Sequence, residues 1–137
     1  MALIDTHAHL QDAQFDEDRS EVLERALAEL ECVVVVGDDV KTSWEGVALI
    51  RDKVRAVVGI HFHSAATVTP ESLAAVRELV SRAGVVAVGE IGLDYHYDLA
   101  ERNAQREAFR LQLEMAIECS LPVVVHMRFT ARRMETQ

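Results

Sequence analysis

Cys32-Val33-Val34-Val35-Val36-Gly37 is the stretch that decides the fold, because it is apolar throughout and mostly β-branched. Neighbouring side chains of a strand point to opposite faces of a sheet, so a run without polar residues predicts a strand covered on both sides. Three further runs are apolar throughout, at residues 56–60, 85–88 with Ile91, and 122–125, and a fourth segment, residues 2–7, begins apolar and ends in the polar Asp5-Thr6-His7. The sequence therefore predicts five buried strands.

The segments between these runs place apolar residues at helical spacing, as Leu23, Leu27 and Leu30 do. Four of them are predicted as helices: residues 17–30, a helix from a Thr42/Glu45 capping box to near Lys53, a helix from Thr69-Pro70 to a stop at Gly84, and residues 102–119. Short buried strands that alternate with amphipathic helices are typical of α/β proteins with a parallel sheet. The chain is therefore predicted to be one α/β domain.

Composition describes an ordinary globular protein of 137 residues, half of them hydrophobic. A net charge of −9 excludes an overall positive field that would attract nucleic acid, so any such contact has to be local or mediated by metal ions. Cys32 and Cys119 lie in or beside apolar stretches and are predicted to be buried thiols. With no recognisable export signal and no apolar run of membrane length, the chain is predicted to be cytoplasmic, without a membrane partner.

Histidine placement is the first functional signal. All six histidines lie at or just after the carboxyl end of a predicted strand, at positions 7, 9, 61, 63, 96 and 126. Chemistry in parallel sheets is found at the carboxyl ends of the strands. In Asp5-Thr6-His7-Ala8-His9 the two imidazoles would stand on one face, as half of a metal clamp. A pair of surface loop histidines is the alternative, and the grouping of all six at strand ends argues against it.

Glu90 is an acidic residue within an apolar strand and lies between Gly89 and Gly92. Burying an ionised carboxylate without a partner costs several kcal/mol or more, so a nearby cation would explain its position. In the alternative interpretations Glu90 faces water at the strand end or pairs with an arginine. The flanking glycines would allow other groups to approach its backbone closely.

Four motifs occur in order along the chain: Asp5-Thr6-His7-Ala8-His9-Leu10, Gly59-Ile60-His61, Val88-Gly89-Glu90-Ile91-Gly92-Leu93-Asp94-Tyr95, and Leu121-Pro122-Val123-Val124-Val125-His126-Met127-Arg128. Together they resemble the TatD family of metal-dependent hydrolases, within the amidohydrolase-like barrels. The resemblance covers residues 1–128 and implies a partial TIM-type (β/α) barrel of about five parallel strands alternating with four helices. Because a closed barrel needs about 200–250 residues, this one is expected to be truncated before barrel closure. Residues 129–137 are predicted to be a non-matching tail, disordered or frameshifted.

The resemblance also implies a metal centre. His7 and His9 would bind one divalent cation, Glu90 would bridge two cations as the catalytic carboxylate, and His126 would bind the second cation. The implied reaction is hydrolysis of DNA phosphodiester bonds by metal-activated water, with Zn, Mn or Mg as candidate ions. A histidine and an aspartate that the family places on later strands have no counterpart in this chain.

Further polar residues at the same strand ends are given more limited roles. His61 and Arg128 match family positions that face the substrate, and we expect both to contact phosphate, which suits the forked donors of arginine. For His63 and His96 a functional role and a solvent-exposed loop position both stay open. Asp94 is expected to orient a histidine or the following loop rather than to bind metal.

Two functions are compatible with these observations. The first is a TatD-like deoxyribonuclease with DNA as substrate, monomeric at full length. The second is a catalytically inactive half-barrel fragment that binds metal weakly or self-associates to cover its open edge.

Overall fold

Five strands form one parallel sheet, and each strand pairs with the next along the chain in the computed structural model, which describes residues 2–128. The strands are β1 (Ile4–Ala8), β2 (Cys32–Val36), β3 (Val54–Val58), β4 (Val85–Asp94) and β5 (Val123–Arg128). Because β1 and β5 stand at the two ends of this order, the sheet is an open half-barrel. The predicted α/β class and the five parallel strands are confirmed.

Four α-helices connect the strands: α1 (Arg19–Glu29), α2 (Val40–Ala48), α3 (Pro70–Val80) and α4 (Arg102–Glu118). Two 3₁₀ turns, Ala13–Phe15 and Phe62–Thr67, follow the carboxyl ends of β1 and β3. The predicted start of α3 is confirmed, because the Thr69 side chain accepts the backbone N–H of Ser72 at 3.1 Å. Within residues 2–128 no helix combines the length and hydropathy needed to cross a membrane.

The predicted bounds of α2 are wrong at both ends. Its N-cap is Asp39, whose carboxylate accepts the Thr42 N–H at 2.7 Å while Thr42 Oγ1 accepts the Asp39 N–H at 3.0 Å. Aspartate caps a helix as well as threonine does, so the reciprocal pair forms three residues before the predicted pair of Thr42 and Glu45. The helix ends at Ala48, well before Lys53, which has a left-handed φ of +61°.

The two faces of the sheet have different surroundings. On the outer face, α3 and α4 pack against the central strands through a buried cluster that includes Ala56, Val58, Val76, Leu79, Val88 and Met115. The inner face carries a small cluster of Val36, Val57 and Ala87. The register between β3 and β4 shifts between the pairs Ala56–Val85 and Val57–Ala87. Because of this shift, the two side chains of each pair lie on the same face of the sheet. The core therefore lies mainly under the helices.

The edge strands are exposed, in contrast to the prediction that all five strands are buried. The exposed fractions are 56% for Ile4 in β1, 43% for Val125 and 52% for Met127 in β5. An apolar sequence makes a strand suitable for burial, but burial also requires a neighbouring strand and a covering layer. Cys32 and Cys119 are free thiols, and both are half-buried rather than fully buried.

Candidate metal centre

Glu90 is the centre of a cluster of imidazoles at the carboxyl ends of the strands. It is 7% exposed, and its Oε2 lies 3.4 Å from His7 Nε2 and 4.0 Å from His61 Nε2. Its other oxygen, Oε1, lies 3.2 Å from His126 Nδ1. Within the described part of the chain its ion-pair partners are these three histidines, so it neither faces water nor pairs with an arginine.

Two glycines give Glu90 this position. A Cβ on Gly89 would lie 2.7 Å from the Val124 carbonyl oxygen, and a Cβ on Gly92 would collide with the carbonyl oxygen of His126. Gly92 also has a φ of +145°, which side-chain-bearing residues rarely adopt. The prediction that these glycines permit a close backbone approach is confirmed, and the segment that approaches is β5, which carries His126.

His9 is held in one tautomer by the end of β2. Its Nδ1 lies 2.8 Å from the Val36 carbonyl oxygen, which also accepts the Gln11 side-chain N–H at 2.7 Å. Because a carbonyl oxygen can only accept, the hydrogen of a neutral His9 ring is on Nδ1. The Nε2 lone pair is then free, which is the usual arrangement for a metal-binding histidine with an outer hydrogen bond.

His126 offers a second unused nitrogen. Its Nε2 is buried and has no hydrogen-bond partner among the described residues. The ring lies against Phe62, with centroids 4.9 Å apart. A buried polar atom without a partner is uncommon in proteins, and a bound ion is one way to satisfy it.

His61 differs from these histidines. Its Nδ1 accepts the His63 backbone N–H at 3.2 Å, so a neutral ring carries its hydrogen on Nε2 and acts there as a donor. Burial lowers the pKa of His61 to about 4, although the nearby Glu90 opposes the shift. His61 is thus an uncharged hydrogen-bond donor near neutral pH.

The distances around Glu90 fit divalent cations. Two ligands on a tetrahedral ion with bonds of about 2.1 Å lie roughly 3.4 Å apart, and His7 Nε2 and Glu90 Oε2 are separated by 3.4 Å. In each of two groups of residues, three potential ligand atoms lie within 4.8 Å of one another. The groups are His7, His9 and Glu90, and Asp38, His61 and Glu90. The residues present therefore fit a metal centre.

The remaining predicted residues lie beside this cluster. Asp94 is buried and accepts the backbone N–H groups of His96 at 2.8 Å and Tyr97 at 3.1 Å, and its Oδ2 lies 3.4 Å from His63 Nε2. Burial opposes ionisation, but these hydrogen bonds lower the pKa of Asp94. Asp94 thereby holds the loop after β4, as expected. His96 itself is exposed.

Arg128 lies near the same loop and not in contact with Glu90. Its guanidinium stacks over the Tyr97 ring, 5.2 Å from the centroid, at the end of β5 that pairs with Asp94. The charge of Arg128 also contributes to the lowered pKa of Asp94.

Asp38 also lies at this rim, although the motifs of the sequence do not point to it. It follows Gly37 at the end of β2, the strand without a histidine, and its Oδ2 lies 3.8 Å from His9 Nδ1. Partial burial raises the pKa of Asp38, an effect that His9 opposes and the carboxylate of Glu90 strengthens. An acidic residue at the carboxyl end of a buried strand was the available signal.

An open parallel half-barrel with histidines and a buried carboxylate at the carboxyl ends of its strands is the architecture of a barrel-type metal-dependent hydrolase. Residues 4–136 match the family described as TatD related DNase, and the chain belongs to this family. The match extends past Arg128, the predicted end of the resemblance. The boundary and the nature of the tail stay predictions, because residues 129–137 lie outside the described range.

Relatives match this chain over about half of their own length. An uncharacterized metal-dependent hydrolase, YabD of Bacillus subtilis, is 45% identical over 129 residues, which are 92% of this chain and 51% of YabD. The 3'-5' ssDNA/RNA exonuclease TatD of Cronobacter sakazakii is 35% identical over 92% of this chain and 49% of its own length. The crystal structure of YJJV, a TatD homolog from Escherichia coli, superposes with a TM-score of 0.83 at 32% identity, covering 93% of this chain and 51% of YJJV.

Proposed function

We propose that this chain carries the cation-binding part of a metal-dependent phosphodiesterase that hydrolyses DNA. The observation that carries the proposal is the position of Glu90, a buried carboxylate whose two oxygens face different histidines. Relatives named as 3'-5' ssDNA/RNA exonucleases support nucleic acid as the substrate class. Because the chain spans about half the length of these relatives, its activity is a proposal to be tested on the chain itself.

In this proposal His7 and His9 hold one divalent cation, Glu90 bridges two, and His126 binds the second. Bound cations would supply Lewis-acid chemistry, because they lower the pKa of water and neutralise phosphate charge. An imidazole-rich ligand set favours Zn or Mn over a site specific for Mg. The ions would also provide the local positive field that a chain with a net charge of −9 otherwise lacks.

Two residues are proposed to contact substrate phosphate. His61 presents an uncharged Nε2–H donor 4.0 Å from Glu90, so it can bond a phosphate oxygen beside the cations without repelling them. Arg128 would offer its forked donors from beside the loop after β4, where the Tyr97 ring restricts the position of the guanidinium.

A nuclease assay tests the function. The purified chain is stripped with chelator and supplied with Mn²⁺ or Zn²⁺ and end-labelled single-stranded DNA. We expect cleavage that requires the cation and falls at least 100-fold in Glu90→Gln, which keeps the shape of the side chain but removes its charge. Glu31→Gln, an exposed position between α1 and β2, is the matched control and keeps full activity. Equal cleavage by both variants would contradict the proposal.

The exposed edge strands favour a second candidate, a half-barrel that binds cations without catalysis or self-associates. Ile4 and Val125 leave apolar surface on both open edges. A chain that binds Mn²⁺ through Glu90 but cleaves no DNA at any cation concentration would support this candidate.

A further inference from the structure

Asp38 is held at the rim by contacts of its backbone. Its N–H donates to Thr42 Oγ1 at 2.9 Å, and its carbonyl oxygen accepts the His61 N–H at 2.7 Å. The Glu90 N–H donates to the neighbouring Gly37 carbonyl oxygen at 3.3 Å. Backbone hydrogen bonds therefore tie the segment after β2 to the end of β4 and to the segment after β3, with Asp38 beside the candidate metal centre.

The carboxylate of Asp38 is left without a hydrogen-bond donor. His9 Nδ1 lies 3.8 Å from it, beyond bonding distance, and donates instead to the Val36 carbonyl oxygen at 2.8 Å. Within residues 2–128 no other donor bonds to this carboxylate, although its side chain is only 46% exposed.

Asp38 also lies close to the other carboxylate of the rim. An oxygen of Asp38, a ring nitrogen of His61 and an oxygen of Glu90 lie within 4.8 Å of one another. His61 is a donor in this set, because its Nδ1 already accepts a backbone N–H. Two carboxylates thus lie close together beside a neutral ring, and a cation that binds both would remove their repulsion.

We propose that Asp38 is a further carboxylate ligand of the metal centre, binding a divalent cation together with Glu90. This inference rests on the proposed function, because it requires the centre around Glu90 to bind metal. It adds a side chain from β2, so that all five strands of the half-barrel contribute to the site.

Metal binding by Asp38→Asn tests the inference with readouts other than activity. Isothermal titration of the chelator-stripped chain with Co²⁺ should give at least tenfold weaker binding than wild type, since loss of even an outer-shell partner typically costs 10–100-fold. The visible absorption of bound Co²⁺ should also change, because it reports the ligand set. Asp52→Asn, an exposed aspartate in the turn before β3, is the matched control and should leave both readouts unchanged.

Replacing Asp38 with cysteine distinguishes a direct metal ligand from a residue that only orients His9. Asp38→Cys should give a sulfur-to-cobalt charge-transfer band with bound Co²⁺, which requires direct coordination. Wild-type affinity and an unchanged spectrum in Asp38→Asn, with no such band in Asp38→Cys, would overturn the inference. If those results accompany Co²⁺ binding that is lost in Glu90→Gln, the metal centre stands and only the role of Asp38 fails. A wild-type chain that binds no Co²⁺ would overturn both.

Discussion

Gly92 is a single residue on which the position of His126 depends. A Cβ there would meet the carbonyl oxygen of His126, and its φ of +145° is unfavourable for any other residue. We expect Gly92→Ala to lower the free energy of unfolding by about 2 kcal/mol or more and to weaken cation binding. Urea denaturation and a metal titration measure the two effects.

Gly46→Ala is the matched control for this substitution. Gly46 lies inside α2, and its added Cβ would come no closer than 3.4 Å to Val35 Cγ1. Alanine is the better helix former by about 1 kcal/mol, so this variant should be as stable as wild type or more stable. Equal destabilisation by the two alanines would show that the close contact at Gly92 is not the cause.

His61 predicts a pH dependence of stability for the metal-free chain. Its pKa is lowered to about 4 in the folded protein from an ordinary value of 6.5. The unfolded chain therefore binds more protons across this window, and stability falls as the pH decreases from 6.5 to 4. His61→Asn keeps an acceptor for the His63 N–H. Between pH 6.5 and pH 4 its free energy of unfolding should fall by up to about 3 kcal/mol less than that of the wild-type chain.

The measurement is the free energy of unfolding in chelator between pH 7 and pH 4. The two proteins differ at position 61 alone, so the difference between the two curves isolates His61. Curves that run parallel across the window would contradict the prediction.

At the scale of elements, a buried glutamine joins α4 to the segment that follows β3. Gln112 Oε1 accepts the Ile60 N–H at 2.7 Å, and its Nε2 donates to the Ile60 carbonyl oxygen at 2.9 Å. Gln112→Leu leaves both backbone groups without partners, so we expect a loss of roughly 2–4 kcal/mol. Faster hydrogen exchange of the Ile60 amide should accompany the loss of stability.

Asn103→Leu on the same helix provides the comparison, because it replaces an exposed amide with the same apolar residue. Its effect should stay within about 0.5 kcal/mol. A similar loss in both variants would assign the effect to the leucine rather than to the lost bonds with Ile60.

At the scale of the whole molecule, the sheet formed by residues 2–128 ends in two open strand edges, and we expect concentration-dependent self-association through them. Ile4 on β1 and Val125 on β5 are 56% and 43% exposed beside unpaired backbone groups. Ile4→Lys and Val125→Lys should each reduce association in sedimentation velocity runs over a range of concentrations, because a charge at the strand edge opposes pairing.

Ile117→Lys tests whether the edges are responsible. Ile117 is 77% exposed, but it lies on α4 rather than on a strand. The same lysine there should leave association unchanged. Loss of association in Ile117→Lys alone would place the contact on the helix face.

The sequence by itself determined the alternation of strands and helices and the edge of the sheet at which the histidines gather. Both depend on local spacing, since residue periodicity defines each element and a parallel order sends every carboxyl end to one side. Glu90 was also identifiable, because a lone acid in an apolar strand requires a partner. The predicted N-cap of α2 is wrong, because Asp39 and Thr42 are both competent N-cap residues and the local pattern favours neither.

Only the tertiary structure decided which side chains meet at that edge. His7, His61 and His126 reach Glu90, whereas His63 turns to Asp94. These outcomes depend on strand register, on the close approach of β5 at Gly92 and on hydrogen bonds between distant segments, none of which is encoded in local spacing. The proximity of Asp38 to the centre and the exposure of the apolar edge strands have the same cause. Contact and burial are set by neighbours that lie far away along the chain.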